Sequence, residues 1–255
     1  MKSLTMKNIK FLLSSLFMVA LFSSCDKTEN SAEPSFITYL PKLTMNGPSS
    51  ITLDCNATGY TDEGLVAEEQ GAEIPVVTSV EPRYFGGNTV DGPDVYNIVY
   101  SAENRDGIPG AAVRAVVWEE CNGDLVNSIA GMYTAYLSRT SVPGGVVLAT
   151  PQYQGVGPII IRDLGNNEYA ISDAIGGWYE YGRSLGVAYA AIGQTITANN
   201  IPANDFTFGP AVEVGGFGGV NTLTDFTVIP AENKIVFTTE WEAGYTFEVT
   251  LIQND

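Results

Sequence analysis

From Phe36 to Trp118, and again from Ser128 onward, the chain is a succession of short apolar or alternating runs cut by turn chemistry, and that rhythm points to β-structure. The first region holds Phe36–Tyr39, Ile51–Leu53, Ile74–Thr78, Val95–Ala102 and Ala111–Trp118, separated by Asn46-Gly47-Pro48, Gly86-Gly87-Asn88, Asp91-Gly92-Pro93 and Asp106-Gly107. No window there sustains a helical period. Tyr96, Ile98, Tyr100 and Ala102 alternate with Asn97, Val99 and Ser101, the period of a half-buried strand. Glu119 to Asn127 is polar and contains Gly123, so the boundary between two β regions is expected there. Beyond it come Met132–Leu137, Val146–Ala149, Pro158–Arg162, Tyr169–Asp173, Val187–Ile192, Thr195–Ala198, Phe206–Phe208, Leu223–Val228, Lys234–Trp241 and Tyr245–Ile252. In the last run Tyr245, Phe247, Val249 and Leu251 face one way, and Trp241-Glu242-Ala243-Gly244 reads as the hairpin loop before it.

The amino terminus is of another kind. Lys2, Lys7 and Lys10 precede an apolar run, Phe11–Phe22, broken by Ser14 and Ser15. About a dozen apolar residues are too few for a membrane span and fit an export signal. The run ends in Leu21-Phe22-Ser23-Ser24-Cys25, which resembles a bacterial lipobox, with Phe22 where Leu or Val is usual. The resemblance implies a signal peptide over 1–24, lipidation of Cys25, and attachment to a membrane. Each buried methylene contributes about 0.8 kcal/mol, so a multiply acylated cysteine anchors durably. Residues 25–35 are polar and read as a flexible tether. Asp26 and Glu29 resemble the signals that carry Bacteroidota lipoproteins to the outer face of the outer membrane.

Charge and composition narrow the chemistry. The chain has 12 Lys and Arg against 29 Asp and Glu, a net charge of −17. That balance disfavours nucleic acid and anionic lipid surfaces, leaving neutral ligands or cations. Histidine is absent, which excludes Ser–His and Cys–His nucleophiles and His-ligated zinc. No cofactor or metal is expected: Asp62, Glu63, Glu68, Glu69 and Glu73 follow no calcium-loop spacing and read as a solvated acidic edge. With Cys25 lipidated, Cys55 and Cys121 remain, and outside the cytoplasm they can pair or stay free; spacing alone does not decide.

The fold expectation is all-β: an immunoglobulin-like β-sandwich over 36–120, then a second antiparallel β-sandwich or barrel over 121–255. Tyr60-Thr61-Asp62-Glu63-Gly64-Leu65-Val66-Ala67, followed by Val95-Tyr96-Asn97-Ile98-Val99-Tyr100-Ser101-Ala102-Glu103-Asn104-Arg105-Asp106-Gly107, resembles the immunoglobulin-like repeats of bacterial surface proteins. Those domains mostly serve as spacers. The second region resembles the C-terminal module of Bacteroidota surface lipoproteins, through Gly131, Tyr133 and Arg139, then Ser172, Asp173, Gly176, Gly177, Trp178, Tyr179, Gly182, Arg183, Gly186, Tyr189, Ala190 and Gly193. The resemblance implies glycan-utilisation machinery beside an outer-membrane importer.

Ile171–Gln194 gathers Trp178, Tyr179, Tyr181 and Tyr189 among five glycines. Exposed rings can stack on sugar faces while polar neighbours bond hydroxyls; buried, the same rings fill a barrel end. The candidate ligand residues are Trp178, Tyr181, Arg183, Asp173, Trp241 and Tyr245, with Phe217 at the tip of a Gly-Gly-Phe-Gly-Gly loop beside them. If Trp178–Tyr181 is extended, Tyr179 lies on the opposite face from Trp178, and Tyr179 and Tyr189 read as core. The expected function is a non-catalytic surface lipoprotein that binds oligo- or polysaccharide. The alternatives are an assembly subunit without a sugar site, and a glycosidase drawing on Asp173, Glu180, Glu240 or Glu242, though no spacing marks an acid pair.

Overall fold

Alternating side chains set the strands of the first region: β1 (Lys42–Met45), β2 (Ser50–Leu53), β3 (Leu65–Glu69), β4 (Ala72–Ile74), β5 (Val77–Pro82), β6 (Asp94–Glu103) and β7 (Pro109–Trp118). In β6, Tyr96, Ile98, Tyr100 and Ala102 are buried while Asn97 is exposed. The strands form a three-stranded sheet, β1-β3-β4, and a four-stranded sheet, β2-β7-β6-β5, in which β2 joins β7 in parallel. Tyr96, Ile98, Tyr100, Val116 and Trp118 form their core, with Met45, Ile51, Leu53 and Leu65 packed against it. The computed structural model describes residues 37–141, 145 and 147–254. The signal peptide, Cys25 and the tether lie outside the described residues.

The Tyr-Thr-Asp-x-Gly stretch has a structural purpose. The Asp62 carboxylate accepts hydrogen bonds from Tyr60 Oη (3.1 Å), Tyr100 Oη (2.6 Å) and the Gly64 N–H (3.0 Å), and pairs with the fully buried Arg114. Arg114 in turn donates to the Pro48 carbonyl at 3.0 Å. One carboxylate thus ties a loop to β6 and β7. At the other end of β6, the Asn104 side chain accepts from the Asp106 and Ile108 N–H groups at 3.1 and 2.7 Å, fixing the Asp106-Gly107 turn.

The second region contains β8 (Gly131–Ser141), β9 (Val147–Leu148), β10 (Gln154–Gly165), β11 (Glu168–Ile171), β12 (Gln194–Asn200), β13 (Asp205–Phe208), β14 (Val212–Glu213), β15 (Val220–Ile229), β16 (Lys234–Trp241) and β17 (Tyr245–Gln253). They make one ten-stranded antiparallel sheet, ordered β13-β12-β11-β10-β8-β17-β16-β15-β14 with β9 on β8, curled into a half-barrel. Its concave face carries the core, including Tyr133, Leu137, Ile159, Ile171, Phe237, Phe247, Val249 and Leu251. The expected final hairpin is present, with Trp241 opposite Tyr245.

Three expectations are corrected. No strand covers residues 37–39, and the first begins at Lys42. The unexpected β3 runs through Glu68 and Glu69; Glu69 is 8% exposed and faces Arg105 at 3.6 Å, so charge there concealed a strand. Val187–Ile192 is not extended, because Gly186 and Gly193 bracket it at φ of 84° and 99° and leave only a short helical turn, Val187–Tyr189.

Cys55 and Cys121 form a disulfide with Cα atoms 4.8 Å apart, closing a separation of 66 residues that encloses most of the first region. Restricting so long a loop in the unfolded chain is worth about 2–4 kcal/mol. Urea titration of the Cys55→Ser/Cys121→Ser protein should show a loss of that order. An unchanged midpoint would place the stability of this region elsewhere.

Candidate functional site

The aromatic and glycine-rich stretch crosses the half-barrel as its interior. Every residue from Ile171 to Glu180 is buried. Asp173 sets the path: its carboxylate accepts the N–H groups of Ile175 (3.0 Å), Gly177 (3.0 Å) and Ala191 (2.9 Å), pinning both ends of the crossing. A Cβ at Gly176 would lie 2.6 Å from Leu137 and 2.7 Å from Val249, so only glycine lets the backbone approach the sheet this closely. Gly177, at φ of 86°, then turns the chain into a wide helical turn, Trp178–Gly182, closed by Gly182 N–H to Gly177 O (3.0 Å) and Arg183 N–H to Trp178 O (3.1 Å).

Trp178 and Asp173 are therefore not ligand-facing, contrary to the sequence expectation. Trp178 is fully buried, stacked on Tyr153 with centroids 3.6 Å apart, edge-on to Phe247 at 5.7 Å, and beneath the Arg139 guanidinium at 5.1 Å. The largest side chain of the stretch fills the concave core, where its apolar area is most effective. The extended geometry expected for Trp178–Tyr181 is replaced by the helical turn, which returns Tyr179 to the same cluster.

Glu180 and Tyr181 are committed to the first region. Glu180 Oε1 accepts from Arg83 Nε at 2.7 Å and from Tyr84 Oη at 2.9 Å, and Arg83 Nη2 reaches the same oxygen. Tyr84 Oη lies 2.6 Å from Tyr181 Oη. Burial, with Tyr181 and Glu180 adjoining, pushes the Tyr84 phenol far above its ordinary value; burial and Glu180 raise Tyr181 to about 12. Both phenols thus stay protonated. The turn that precedes β6 is held in the same place by Asp94, which accepts the N–H groups of Tyr84, Phe85 and Val95 at 3.1, 2.9 and 2.7 Å.

A largely buried aromatic cluster, capped by one exposed ring, lies over the other side of the crossing. Phe217 is 48% exposed, and its ring sits 4.7 Å from Tyr179, 4.8 Å from Tyr189 and 6.2 Å from Trp241. Trp241 is 9% exposed and donates through Nε1 to the Gly218 carbonyl at 3.1 Å, which holds the glycine-rich turn down. Tyr245 is half-buried, 5.8 Å from Trp241, with the Arg139 guanidinium 4.2 Å over its ring. Arg139 also donates to Tyr179 Oη at 3.1 Å. At Gly215 a Cβ would meet the backbone at Tyr189 Cα, 2.7 Å away, so the loop rests directly on the Val187–Tyr189 turn. Of the expected ligand residues, the structure brings Trp241 and Tyr245 into one cluster with Phe217; Arg183 is exposed and unpaired among the described residues, and Tyr181 is turned toward the first region. Arg139, noted in the sequence only as part of a motif, is the cation of the cluster.

Between the two regions, beside the disulfide, a cavity of about 580 Å³ is bordered by Glu119, Glu120, Asn122, Thr134 and Asn254. Burial raises the Glu120 carboxyl to about 7, against the pull of the Asp163 and Cys121 amides. Burial likewise lifts Asp173 to about 7, opposed by its three amide donors and aided by Glu180. Among the described residues no group of three or more His, Cys, Asp or Glu side chains is placed to hold a metal ion, and no helix is long and apolar enough to cross a membrane.

Residues 122–253, just over half of the chain, match the family model described as “-like, C-terminal domain”. The crystal structure of the lipoprotein BT2262 from Bacteroides thetaiotaomicron superposes with a TM-score of 0.54 at 25% identity, covering 84% of this chain and 100% of that one. No curated protein matches the chain.

Two measurements follow from this geometry. Trp178→Ala should cost about 3–5 kcal/mol by opening the core, whereas Phe217→Ala should cost less than about 1 kcal/mol because its ring is half in water. An acid raised on folding holds its proton more tightly in the folded chain, so its stabilisation is complete below its unfolded value and fades as pH rises through the folded one. For Asp173 and Glu120 those limits are 3.8 or 4.5 and about 7. Urea midpoints should therefore fall between about pH 4.5 and 7, and Glu120→Gln should flatten part of that slope. A midpoint that rises through this window would contradict both assignments.

Proposed function

We propose that this chain, which belongs to the family of “-like” C-terminal domains, is a non-catalytic lipoprotein that presents the Phe217 cluster to oligo- or polysaccharide at the cell surface. The observation that carries the reading is the half-exposed Phe217 ring seated on Tyr179 and Tyr189, with Trp241 at its edge and Tyr245 beside Trp241. An apolar surface backed by fixed rings, with phenol and guanidinium groups at its margin, is what a sugar's alternating C–H and hydroxyl faces require. Lipid attachment through Cys25 is supported by the lipobox and by the likeness to a Bacteroides lipoprotein. The acidic residues after Cys25 and the glycan-utilisation resemblance support the further reading of an outer-membrane location, on its exterior face, with an importer as neighbour.

The non-catalytic reading is supported by how the candidate acids are engaged. Asp173 is occupied by three amides and Glu180 by Arg83 and Tyr84, while Glu240 and Glu242 are exposed. The assembly-subunit alternative draws on one observation: the signature residues Asp173 and Trp178 build the interior, so the family pattern is compatible with a scaffold.

Affinity electrophoresis decides between them. On a retarding polysaccharide, Phe217→Ala/Tyr245→Ala should migrate as in a blank gel while still melting in one cooperative transition, with no more than a modest fall in melting temperature. Wild-type protein that is retarded by no member of a broad polysaccharide panel would eliminate the glycan reading and leave the scaffold. Metabolic palmitate labelling should be lost in Cys25→Ala.

A further inference from the structure

A second cleft, away from the Phe217 cluster, has the composition of a ligand site. Its floor is the outer face of the half-barrel. Arg162 on β10 is paired with Ala170 on β11, and Ala170 with Thr195 on β12, so the three share one face. The small Ala170 between two larger residues leaves a depression. Its roof is the turn after β5, with Phe85 and the positive-φ pair Gly86 and Gly87 at 76° and 97°. Asp91 stands at the rim. The cleft is open to solvent, with a volume of about 450 Å³, within the range of small-molecule pockets.

The polar groups of this cleft are only partly engaged by the protein. Arg162 is half-buried, yet among the described residues it donates no hydrogen bond and has no carboxylate within 4.0 Å. Its guanidinium is held against the Phe85 ring, 5.5 Å from the centroid, and against the Gly92 backbone, and its charge favours the ionised Asp94 and Glu120 carboxyls behind it. Gly86 and Gly87 are exposed, and their N–H groups donate to no protein acceptor among the described residues, which leaves them open to a ligand. Asp91 is exposed and accepts only from Thr89 Oγ1, at 3.4 Å. A strong donor and a strong acceptor therefore border one space without pairing with each other. An anion would be repelled by Asp91 and a cation by Arg162. Hydroxyl groups, each both donor and acceptor, satisfy the two together.

We propose that this cleft binds a neutral polyhydroxylated ligand, one sugar ring or the end of an oligosaccharide. The inference rests on the glycan reading for the source of the ligand, while its chemistry stands on Arg162, Asp91 and the two glycine amides. The position of the roof is fixed from behind, because Tyr84 both borders the cleft and donates to Glu180.

Calorimetric titration of the full chain with neutral malto-, xylo-, manno- and galacto-oligosaccharides tests it, performed in a Phe217→Ala background so that the first cluster does not contribute. Binding should persist there, and Asp91→Ala and Arg162→Met should each weaken it about tenfold or more, the loss expected for hydrogen bonds to a charged group. Asp91 is exposed, so that variant keeps the test intact if Arg162→Met fails to fold. Wild-type binding that disappears in Phe217→Ala alone would overturn the cleft and leave the Phe217 reading standing. Residual binding indifferent to both cleft variants would also overturn it, as would a preference for uronate oligomers over neutral ones. Polysaccharide retardation indifferent to Phe217→Ala/Tyr245→Ala, with oligosaccharide binding lost in Asp91→Ala, would uphold the cleft and remove the first site.

Discussion

The Glu180 carboxylate, with none of its side chain exposed, joins the two β regions. Removing such a charge from water costs several kcal/mol, and only close partners offset it. Arg83 and Tyr84 supply them from the turn after β5, so the immunoglobulin-like region is held where the charge of Glu180 is compensated. Apolar contact alone would tolerate sliding. A buried ion pair with a phenol on the same oxygen does not, since any displacement leaves a bare charge in the interior. The same pair fixes one wall of the Arg162 cleft, because Tyr84 belongs to both.

Glu180 can occupy that place because of what precedes it. Asp173 gathers three amides, Gly176 lets the chain touch Leu137 and Val249, and Trp178 fills the core against Tyr153. The helical turn then sends successive side chains to different tasks. Trp178 points into the half-barrel, Tyr179 supports Phe217, and Glu180 and Tyr181 meet Arg83 and Tyr84. An extended strand, with its two-residue period, would offer only two directions. The wide turn makes one short stretch serve core, surface cluster and junction at once.

Much of this was legible before any coordinates. Turn chemistry and alternation located most strands, including β6, β7, β16 and β17, because each is half-buried and writes its burial into a period of two. The Tyr-Thr-Asp-x-Gly stretch was readable as a motif, although its reason, the Asp62–Arg114 pair, joins residues 52 positions apart. Trp178 was misread because aromatic rings among glycines look the same in sequence whether they line a surface or a core. What separates the cases is the positive φ of Gly177 and the close approach at Gly176, neither of which composition encodes. β3 escaped notice since Glu68 and Glu69 mask its apolar residues. Arg162 and Asp91 carry no local signal; they border one cleft only where the two β regions meet.

If the Phe217 cluster and the Arg162 cleft both take sugar, as proposed, each has less to supply on its own. A polysaccharide repeats its unit, so a strand engaged at the Phe217 cluster would present further units to the cleft at raised effective concentration, and two weak sites would combine into firm retention. That arithmetic depends on the span between the sites staying constant, since a site that wanders forfeits part of the gain to conformational entropy. On that proposal the ion pair at Glu180 would serve function as well as fold, because it holds the turn that begins at Arg83 and Tyr84 and bears Phe85 against the body that carries Phe217 and Trp241. With a lipid at Cys25, attachment to a surface would multiply the same effect across neighbouring copies, and modest affinity per site would then favour release of a polymer to a partner over permanent capture.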